Sequence, residues 1–234
     1  MARSAKLLTE LVGTFLFLSV IALSGAAGPL APLAIGSALM ALVYMGGHIS
    51  GAHYNPAVSF GLFLRRKIGA TDLVEYWIAQ LTGAALAFTF AYLVSGHTPG
   101  IHPGPNAGAA AALAVEIAFT AALVLVVLNV AATKATQGNS FYGLAIGFVL
   151  ATAVFVGGPI SGGAFNPAVG FGATFGAALF ASGSWSSLWL YIVGPLVGAA
   201  IGSGIHYVQM AGLEAASAPS EGYPSPGTPP PVSE

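Results

Sequence analysis

A thirteen-residue segment occurs twice in this chain and constrains its fold more than any other feature. Residues 46–58 read GGHISGAHYNPAV and residues 157–169 read GGPISGGAFNPAV, with nine identities at a constant offset of 111. In each copy, Asn-Pro-Ala follows a glycine-rich approach and precedes an apolar stretch. Because Asn is favoured at helix N-caps and Pro at the first helical position, each copy predicts a loop that leads into a short helix. The chain is therefore a duplicated unit.

The composition indicates that this unit works inside a membrane. The 234 residues are 56% hydrophobic and only 6% charged, whereas a soluble domain carries about 25% charged residues. The net charge of -1 gives no support for a nucleic-acid partner. The absence of cysteine from the sequence excludes disulfides and thiolate metal sites.

Apolar windows of the length that crosses a bilayer predict six transmembrane spans. They lie at about 7–27, 30–47, 73–95, 109–132, 140–157 and 186–210. The two Asn-Pro-Ala segments fall between spans two and three and between spans five and six. The apolar runs that follow them, Val58–Leu64 and Val169–Phe180, are too short to cross. A half-length helix at membrane depth is tolerated only among other helices or beside a watery cavity, so both runs are predicted to be re-entrant.

The positions of the basic residues predict the orientation of the spans. All six lie on one side of this map: Arg3, Lys6, Arg65, Arg66, Lys67 and Lys134. The positive-inside rule makes that side cytoplasmic, so both termini are expected in the cytoplasm of a protein of the plasma membrane. Three spans per half is an odd number, so the second half must be inverted relative to the first. The two half-helices then enter from opposite sides, and their N-termini meet near the midplane.

These inferences define the fold class and its limits along the chain. We expect an all-α membrane protein with six transmembrane helices and two re-entrant half-helices. A single domain should occupy 1–210, with inverted repeats at about 4–98 and 109–210. Residues 211–234 combine Pro, Ser, Gly and acidic residues without apolar periodicity, and we expect them to form a disordered cytoplasmic tail.

Along residues 4 to about 210 the chain resembles the aquaporins, members of the major intrinsic protein family. The resemblance rests on the paired motif and on Glu10 and Glu116, at equivalent places in TELVGTF and VEIAFTA. By default, carboxylates inside a membrane mark ion paths or proton relays. The resemblance implies instead that each accepts hydrogen bonds from the backbone of a re-entrant loop. It also implies a cofactor-free channel domain that assembles as a homotetramer in the bilayer, with one pore per subunit.

The motif residues are the expected pore centre: Asn55, Pro56, Ala57, Asn166, Pro167 and Ala168. Two asparagine amides would offer donors to a passing water molecule, and two half-helix dipoles would present their positive ends there. Such a centre interrupts proton hopping and repels cations. A metal site is not expected, because the five histidines lack metal-ligand spacing, and a catalytic residue is not expected, because no Ser or Thr sits in a nucleophile elbow.

The predicted selectivity filter departs from the family pattern. Most aquaporins have Arg directly after the second motif, where position 169 of this chain is Val, and glycerol-conducting relatives usually have Arg-Asp there. The resemblance places the filter at Ile35, Val154, Gly163 and Val169, all apolar or without a side chain. We expect a wide constriction that passes small uncharged solutes larger than water. Candidates are metalloid acids, methylated arsenicals, small polyols, ammonia and hydrogen peroxide.

Three alternatives remain open from the sequence. The apolar ring could partly dewet and lower water flux without broadening selectivity. A secondary transporter would also show inverted repeats and broken helices, although it would need a coupling site and the predicted spans carry few charges besides Glu10 and Glu116. A structural or adhesive membrane protein of the same fold would show no permeability at all.

Overall fold

The computed structural model describes residues 1–217, and its regular structure there is entirely helical. The α-helices are α1 Arg3–Leu23, α2 Ala31–Gly46, α3 Pro56–Leu64, α4 Ala70–Ser95, α5 Ala109–Ala131, α6 Tyr142–Ser161, α7 Pro167–Phe180 and α8 Leu188–Ser217. Short 3-10 segments lie at Ser24–Leu30 and Lys134–Thr136. The predicted all-α membrane fold is confirmed.

The six predicted spans correspond to α1, α2, α4, α5, α6 and α8. The last four are each long and apolar enough to cross a bilayer. Residues Arg3–Gly46 form one further apolar stretch, which is interrupted at Gly28 (φ 54°, ψ -129°). Glycine adopts this positive φ at little cost. The break lets α2 turn back and pack against α1, so the stretch supplies two spans instead of one.

Helices α3 and α7 are the two predicted half-helices. They contain 9 and 14 residues, which corresponds to lengths of about 14 Å and about 21 Å. Both are shorter than the hydrocarbon core, which is about 30 Å thick. Because each begins directly after its asparagine, the paired motif places both helix N-termini inside the bundle.

Equivalent helices of the two halves meet through glycine. An added Cβ on Gly36 in α2 would lie 2.5 Å from the Gly147 carbonyl oxygen in α6, and one on Gly147 would lie 2.5 Å from the Gly36 oxygen. The two glycines are 111 residues apart, the same offset as the motif. Their reciprocal contact is what a twofold relation between inverted halves requires. Within each half, the first and last spans also pack closely, α1 against α4 and α5 against α8. Gly83 of α4 lies against the backbone of Leu11 in α1.

The ends of the bundle differ in charge and in length. We call the end that carries Arg3, Lys6, Arg65–Lys67 and Lys134 the basic end. Helix α8 continues at this end to Ser217, past the predicted domain boundary at 210. The predicted tail was therefore placed too early, because Leu213 to Ala216 are good helix formers that prolong α8. The remainder of the predicted tail, 218–234, lies outside the described residues.

Candidate functional site

The two motif asparagines cap the half-helices in almost identical conformations. Asn55 has φ -157° and ψ 117°, and Asn166 has φ -159° and ψ 115°. The Asn55 Oδ1 accepts from the Ala57 amide at 2.8 Å, and the Asn166 Oδ1 accepts from the Ala168 amide at 2.9 Å. Each side-chain oxygen thereby satisfies a backbone donor that has no partner within its own helix.

The same asparagines also tie the two re-entrant loops to each other. The Asn55 Nδ2 donates to the Phe165 carbonyl at 2.9 Å, and the Asn166 Nδ2 donates to the Tyr54 carbonyl at 2.9 Å. Residues 54 and 165 are equivalent in the repeat. An amide nitrogen carries two hydrogens, so each asparagine keeps one donor for a molecule in the pore. Sequence reasoning missed this reciprocal pair of hydrogen bonds.

Glu10 in α1 binds the first re-entrant loop. Its Oε1 accepts from the Ser50 hydroxyl at 2.6 Å and from the His53 amide at 3.0 Å. Its Oε2 accepts from the Tyr54 amide at 2.8 Å and from the Gln80 side chain at 2.9 Å. The side chain is fully buried. Four donors on one carboxylate use most of its hydrogen-bonding capacity.

Glu116 in α5 repeats this arrangement for the second loop. It accepts from the Ser161 hydroxyl at 2.7 Å, the Ala164 amide at 3.0 Å and the Phe165 amide at 2.7 Å. These three donors stand 111 residues after Ser50, His53 and Tyr54. Both carboxylates hold loop backbone, and neither lines the cavity described below.

The loops need this support because their backbone is strained. Ala52 (φ 51°), Tyr54 (φ 48°) and Phe165 (φ 50°) lie in the left-handed region that residues with a Cβ rarely adopt. Gly163, the equivalent of Ala52, has φ 75°. Such positions cost about 1–3 kcal/mol each and persist only where the surroundings enforce them. The hydrogen bonds to the two glutamates supply that enforcement.

A cavity of about 690 Å³ passes between the helices and reaches both asparagines. Its wall is polar near the middle, where His53 joins Asn55 and Asn166. Toward the basic end the wall is mixed, with apolar residues such as Val43, Val127 and Ile146. The polar residues there are His48, Thr133, Lys134, Gln137 and Asn139. Toward the opposite end it is formed by apolar groups, including Phe17, Ile21, Ile35, Val154 and Gly163.

Not all of the predicted site residues form the wall. Five do: Asn55, Asn166, Ile35, Val154 and Gly163. The others are buried in the first turns of the half-helices and are not among the lining residues: Pro56, Ala57, Pro167 and Ala168 of the motifs, and Val169 of the predicted filter. A weak signal in the repeat pointed to His53, which stands where the second copy has Ala164, and no signal pointed to Thr133. Within residues 1–217, no group of three or more potential metal-ligating side chains lies close enough together to hold a metal ion.

The comparison with protein families decides what kind of site this is. The model of the major intrinsic protein family matches residues 1–206, most of the chain. The chain belongs to the major intrinsic protein family. Similar members include the probable aquaporin TIP2-2 of Oryza sativa, 39% identical over 80% of this chain and 74% of the relative. The glycerol uptake facilitator protein-like 6 of Lactiplantibacillus plantarum is 39% identical over 83% of this chain and 93% of the relative.

A solved structure agrees with the fold of this family member. The aquaglyceroporin from Plasmodium falciparum superposes with a TM-score of 0.80 over 92% of this chain and 100% of that chain, at 21% sequence identity. By its family membership and its relatives, the chain is a membrane-embedded passive channel for water and small solutes, and it is not an enzyme. The family assignment removes the support for a secondary transporter.

Proposed function

We propose that this channel conducts small uncharged solutes larger than water, and that its wide apolar outer constriction sets this range. The observation that carries the proposal is the wall formed by Ile35, Val154 and Gly163. At this end of the cavity the described wall residues carry no charge and present few polar side-chain atoms. A solute there meets hydrocarbon and backbone, without a fixed charge that would restrict the opening. Metalloid acids, methylated arsenicals, small polyols, ammonia and hydrogen peroxide fit this description.

Charge exclusion in this proposal depends on the middle of the pore. The N-termini of α3 and α7 meet there and present the positive ends of two helix dipoles. Each asparagine has one amide hydrogen left for the oxygen of a passing molecule. A water molecule bound in this way directs its hydrogens outward along the file, which interrupts proton hopping. Cations are repelled at the same point.

Position 169 contributes to the proposed width of the constriction because it carries Val where most aquaporins have Arg. Val169 is 3% exposed and is not among the residues that line the cavity. An arginine at 169 would be longer by a charged guanidinium and would extend toward the constriction. One relative is named a probable aquaporin and another a glycerol uptake facilitator-like protein. These names are compatible with a channel that passes solutes larger than water.

A second candidate is a water channel of reduced flux. The apolar outer wall could dewet, since hydrocarbon does not replace the hydrogen bonds of single-file water. This candidate predicts slow water flux together with solute permeability no higher than that of empty vesicles. The two functions therefore differ in the solute measurement.

Stopped-flow light scattering on proteoliposomes tests the proposal. Wild-type vesicles should take up glycerol, urea and uncharged metalloid acids faster than empty vesicles. Val169→Arg should reduce solute uptake more than water flux, because a cationic side chain narrows the constriction. Val169→Met is the matched control, as it adds length without charge or donors. Wild-type solute uptake equal to that of empty vesicles would refute the proposal in favour of the second candidate.

We also propose the assembly and orientation that the resemblance implies. The protein forms a homotetramer in the plasma membrane, with the basic end and both termini in the cytoplasm. The cysteine-free sequence allows single-cysteine labelling without background. Ser4→Cys should react only from the cytoplasmic side, and Ser184→Cys only from outside. Chemical cross-linking in native membranes should trap species of up to four copies.

A further inference from the structure

The cavity wall repeats itself along α2 and α6. In each of these helices, three apolar residues at intervals of four line the cavity. They form equivalent pairs at the repeat offset of 111: Ile35 and Ile146, Leu39 and Leu150, Val43 and Val154. An interval of four keeps side chains on one face of a helix. Each half therefore presents one stripe of its own helix to the pore.

This symmetry ends one step before the two stripes begin. Four residues before Ile35 stands Ala31, the first residue of α2, and four before Ile146 stands Tyr142, the first residue of α6. Tyr142 lines the cavity, whereas Ala31 is not among its lining residues. Because the halves are inverted, the two positions lie at opposite ends of the pore. An aromatic side chain thus stands at the inner mouth, the opening at the basic end, without a counterpart at the outer mouth.

The Tyr142 ring is held by its neighbours. The Tyr44 ring contacts it edge-on, with centroids 5.0 Å apart and planes at 71°. Tyr44 is itself tied to the start of α6, because its hydroxyl donates to the Ser140 carbonyl at 2.9 Å and accepts from the Leu144 amide at 3.2 Å. Tyr142 also lies beside Gly47, where an added Cβ would lie 3.5 Å from its Cε2 and 3.7 Å from its hydroxyl oxygen. The ring is therefore preorganised on the wall.

The hydroxyl of Tyr142 is free to bond to a molecule in the pore. Three buried tyrosines donate theirs to backbone carbonyls: Tyr54 to Leu42, Tyr76 to Ser50 and Tyr191 to Ser161. Tyr142 is half-buried, and within residues 1–217 its hydroxyl has no hydrogen-bond partner. Nor is it one of the enclosed side-chain atoms that lack a partner. A phenolic hydroxyl can both donate and accept.

A solute larger than water needs such a partner more than water does. A molecule that fills the cross-section of the pore loses hydration water, and groups on the wall must replace it. The Tyr142 hydroxyl can replace one hydrogen bond of a solute hydroxyl, while the ring offers apolar surface to C–H groups. A water molecule keeps hydrogen bonds to its neighbours in the file, so its passage depends less on this side chain.

We propose that Tyr142 is a specificity-determining residue at the inner mouth, whose hydroxyl replaces a hydration bond of hydroxyl-bearing solutes as they pass. The inference rests on the proposed function, because it requires that solutes larger than water reach the inner mouth. The apolar outer wall then limits the size of the solutes that pass. Among these solutes, Tyr142 favours those that carry hydroxyl groups.

Glycerol uptake and water flux, measured on the same proteoliposomes, test the role of Tyr142. Tyr142→Phe removes one hydroxyl and keeps the ring. Glycerol uptake should fall about two- to tenfold, the factor that corresponds to one hydrogen bond of ordinary strength. Water flux should stay close to that of the wild type. A tyrosine that merely obstructs the mouth predicts the opposite sign, because phenylalanine is smaller, so increased glycerol uptake would overturn the proposal.

Tyr92→Phe is the matched control, since it makes the same chemical change away from the pore. Tyr92 in α4 stacks on Phe180 at 4.1 Å and is not among the lining residues. Its substitution should leave both fluxes unchanged. A fall in the ratio of glycerol uptake to water flux as large as that of Tyr142→Phe would contradict a specific role of Tyr142.

A second pair of variants separates hydrogen bonding from the aromatic ring. Tyr142→Gln keeps a donor and an acceptor, whereas Tyr142→Leu is similar in size and has neither. Relative to water flux, glycerol uptake should be faster with Gln than with Leu, and equal uptake would refute the hydrogen-bonding role. Wild-type glycerol uptake equal to that of empty vesicles would refute the proposed function and this inference together. Wild-type uptake above empty vesicles that Tyr142→Phe leaves unchanged would refute only the inference.

Discussion

Replacing Glu116 by Gln tests whether the buried carboxylate supports the second re-entrant loop. Two of its three partners, Ala164 and Phe165, are backbone N–H groups that can only donate. They approach different oxygens of the carboxylate. Whichever way a glutamine amide is turned, its NH₂ group faces one of them. The substitution keeps the size of the side chain and changes only its hydrogen-bonding chemistry.

The cost follows from the loss of that one contact. A hydrogen bond to a charged group contributes about 1.5–3 kcal/mol, and a buried donor left without an acceptor costs about 1–3 kcal/mol. Because these contributions overlap and do not simply add, we expect Glu116→Gln to lower the free energy of unfolding by about 2–4 kcal/mol. The loosened loop also carries Asn166, so water flux per folded channel should fall.

Equilibrium unfolding in mixed micelles measures this difference. The control is Glu75→Gln, a similar substitution in the surface ion pair with Arg3, whose side chain is 63% exposed. Exposed ion pairs contribute about 0.2–1 kcal/mol, so this control should change stability little. If Glu116→Gln is no more destabilising than Glu75→Gln, the support role of Glu116 is refuted.

Two further substitutions test the centre of the pore and the helix packing. Asn55→Ala removes the cap of α3 and the hydrogen bond to the Phe165 carbonyl, so we expect lower thermal stability and a raised proton leak. A pH-sensitive dye inside vesicles measures the leak. An unchanged leak would contradict the role of Asn55 in proton exclusion. Gly83→Leu would drive a side chain into the backbone of α1, where even an added Cβ lies 2.7 Å from the Leu11 oxygen. The folded yield in detergent should fall sharply, whereas Gly25→Ala, with no atom within 4 Å of the added Cβ, should leave it unchanged.

Much of the fold was predictable because its signals are local or periodic. Apolar length identified the spans, and the Asn-Pro pairs marked the starts of α3 and α7 through capping preferences that act within a few residues. The odd number of spans per half then required inversion. The end of α8 was predicted less well, because a change in composition near 210 does not stop a helix whose next residues favour it.

The candidate site was predictable only in part. The repeat indicated both asparagines, and the resemblance indicated two glutamates and four filter positions. Ile35, Val154 and Gly163 line the cavity, whereas Val169 is buried and is not among its lining residues. An offset from a motif identifies a position along the chain. The direction in which the side chain at that position points depends on how α7 packs among its neighbours.

The duplicated motif, its membrane setting and the opposed half-helices follow from the order of residues. The length of each apolar stretch, the capping residues and the odd number of spans in each half are all properties of the chain itself. The bonds that join the halves, Asn55 to Phe165 and Asn166 to Tyr54, required the folded molecule. So did the contact of Tyr142 with Tyr44. These partners lie far apart along the chain and share no periodic pattern, so their contacts exist only once the helices have packed.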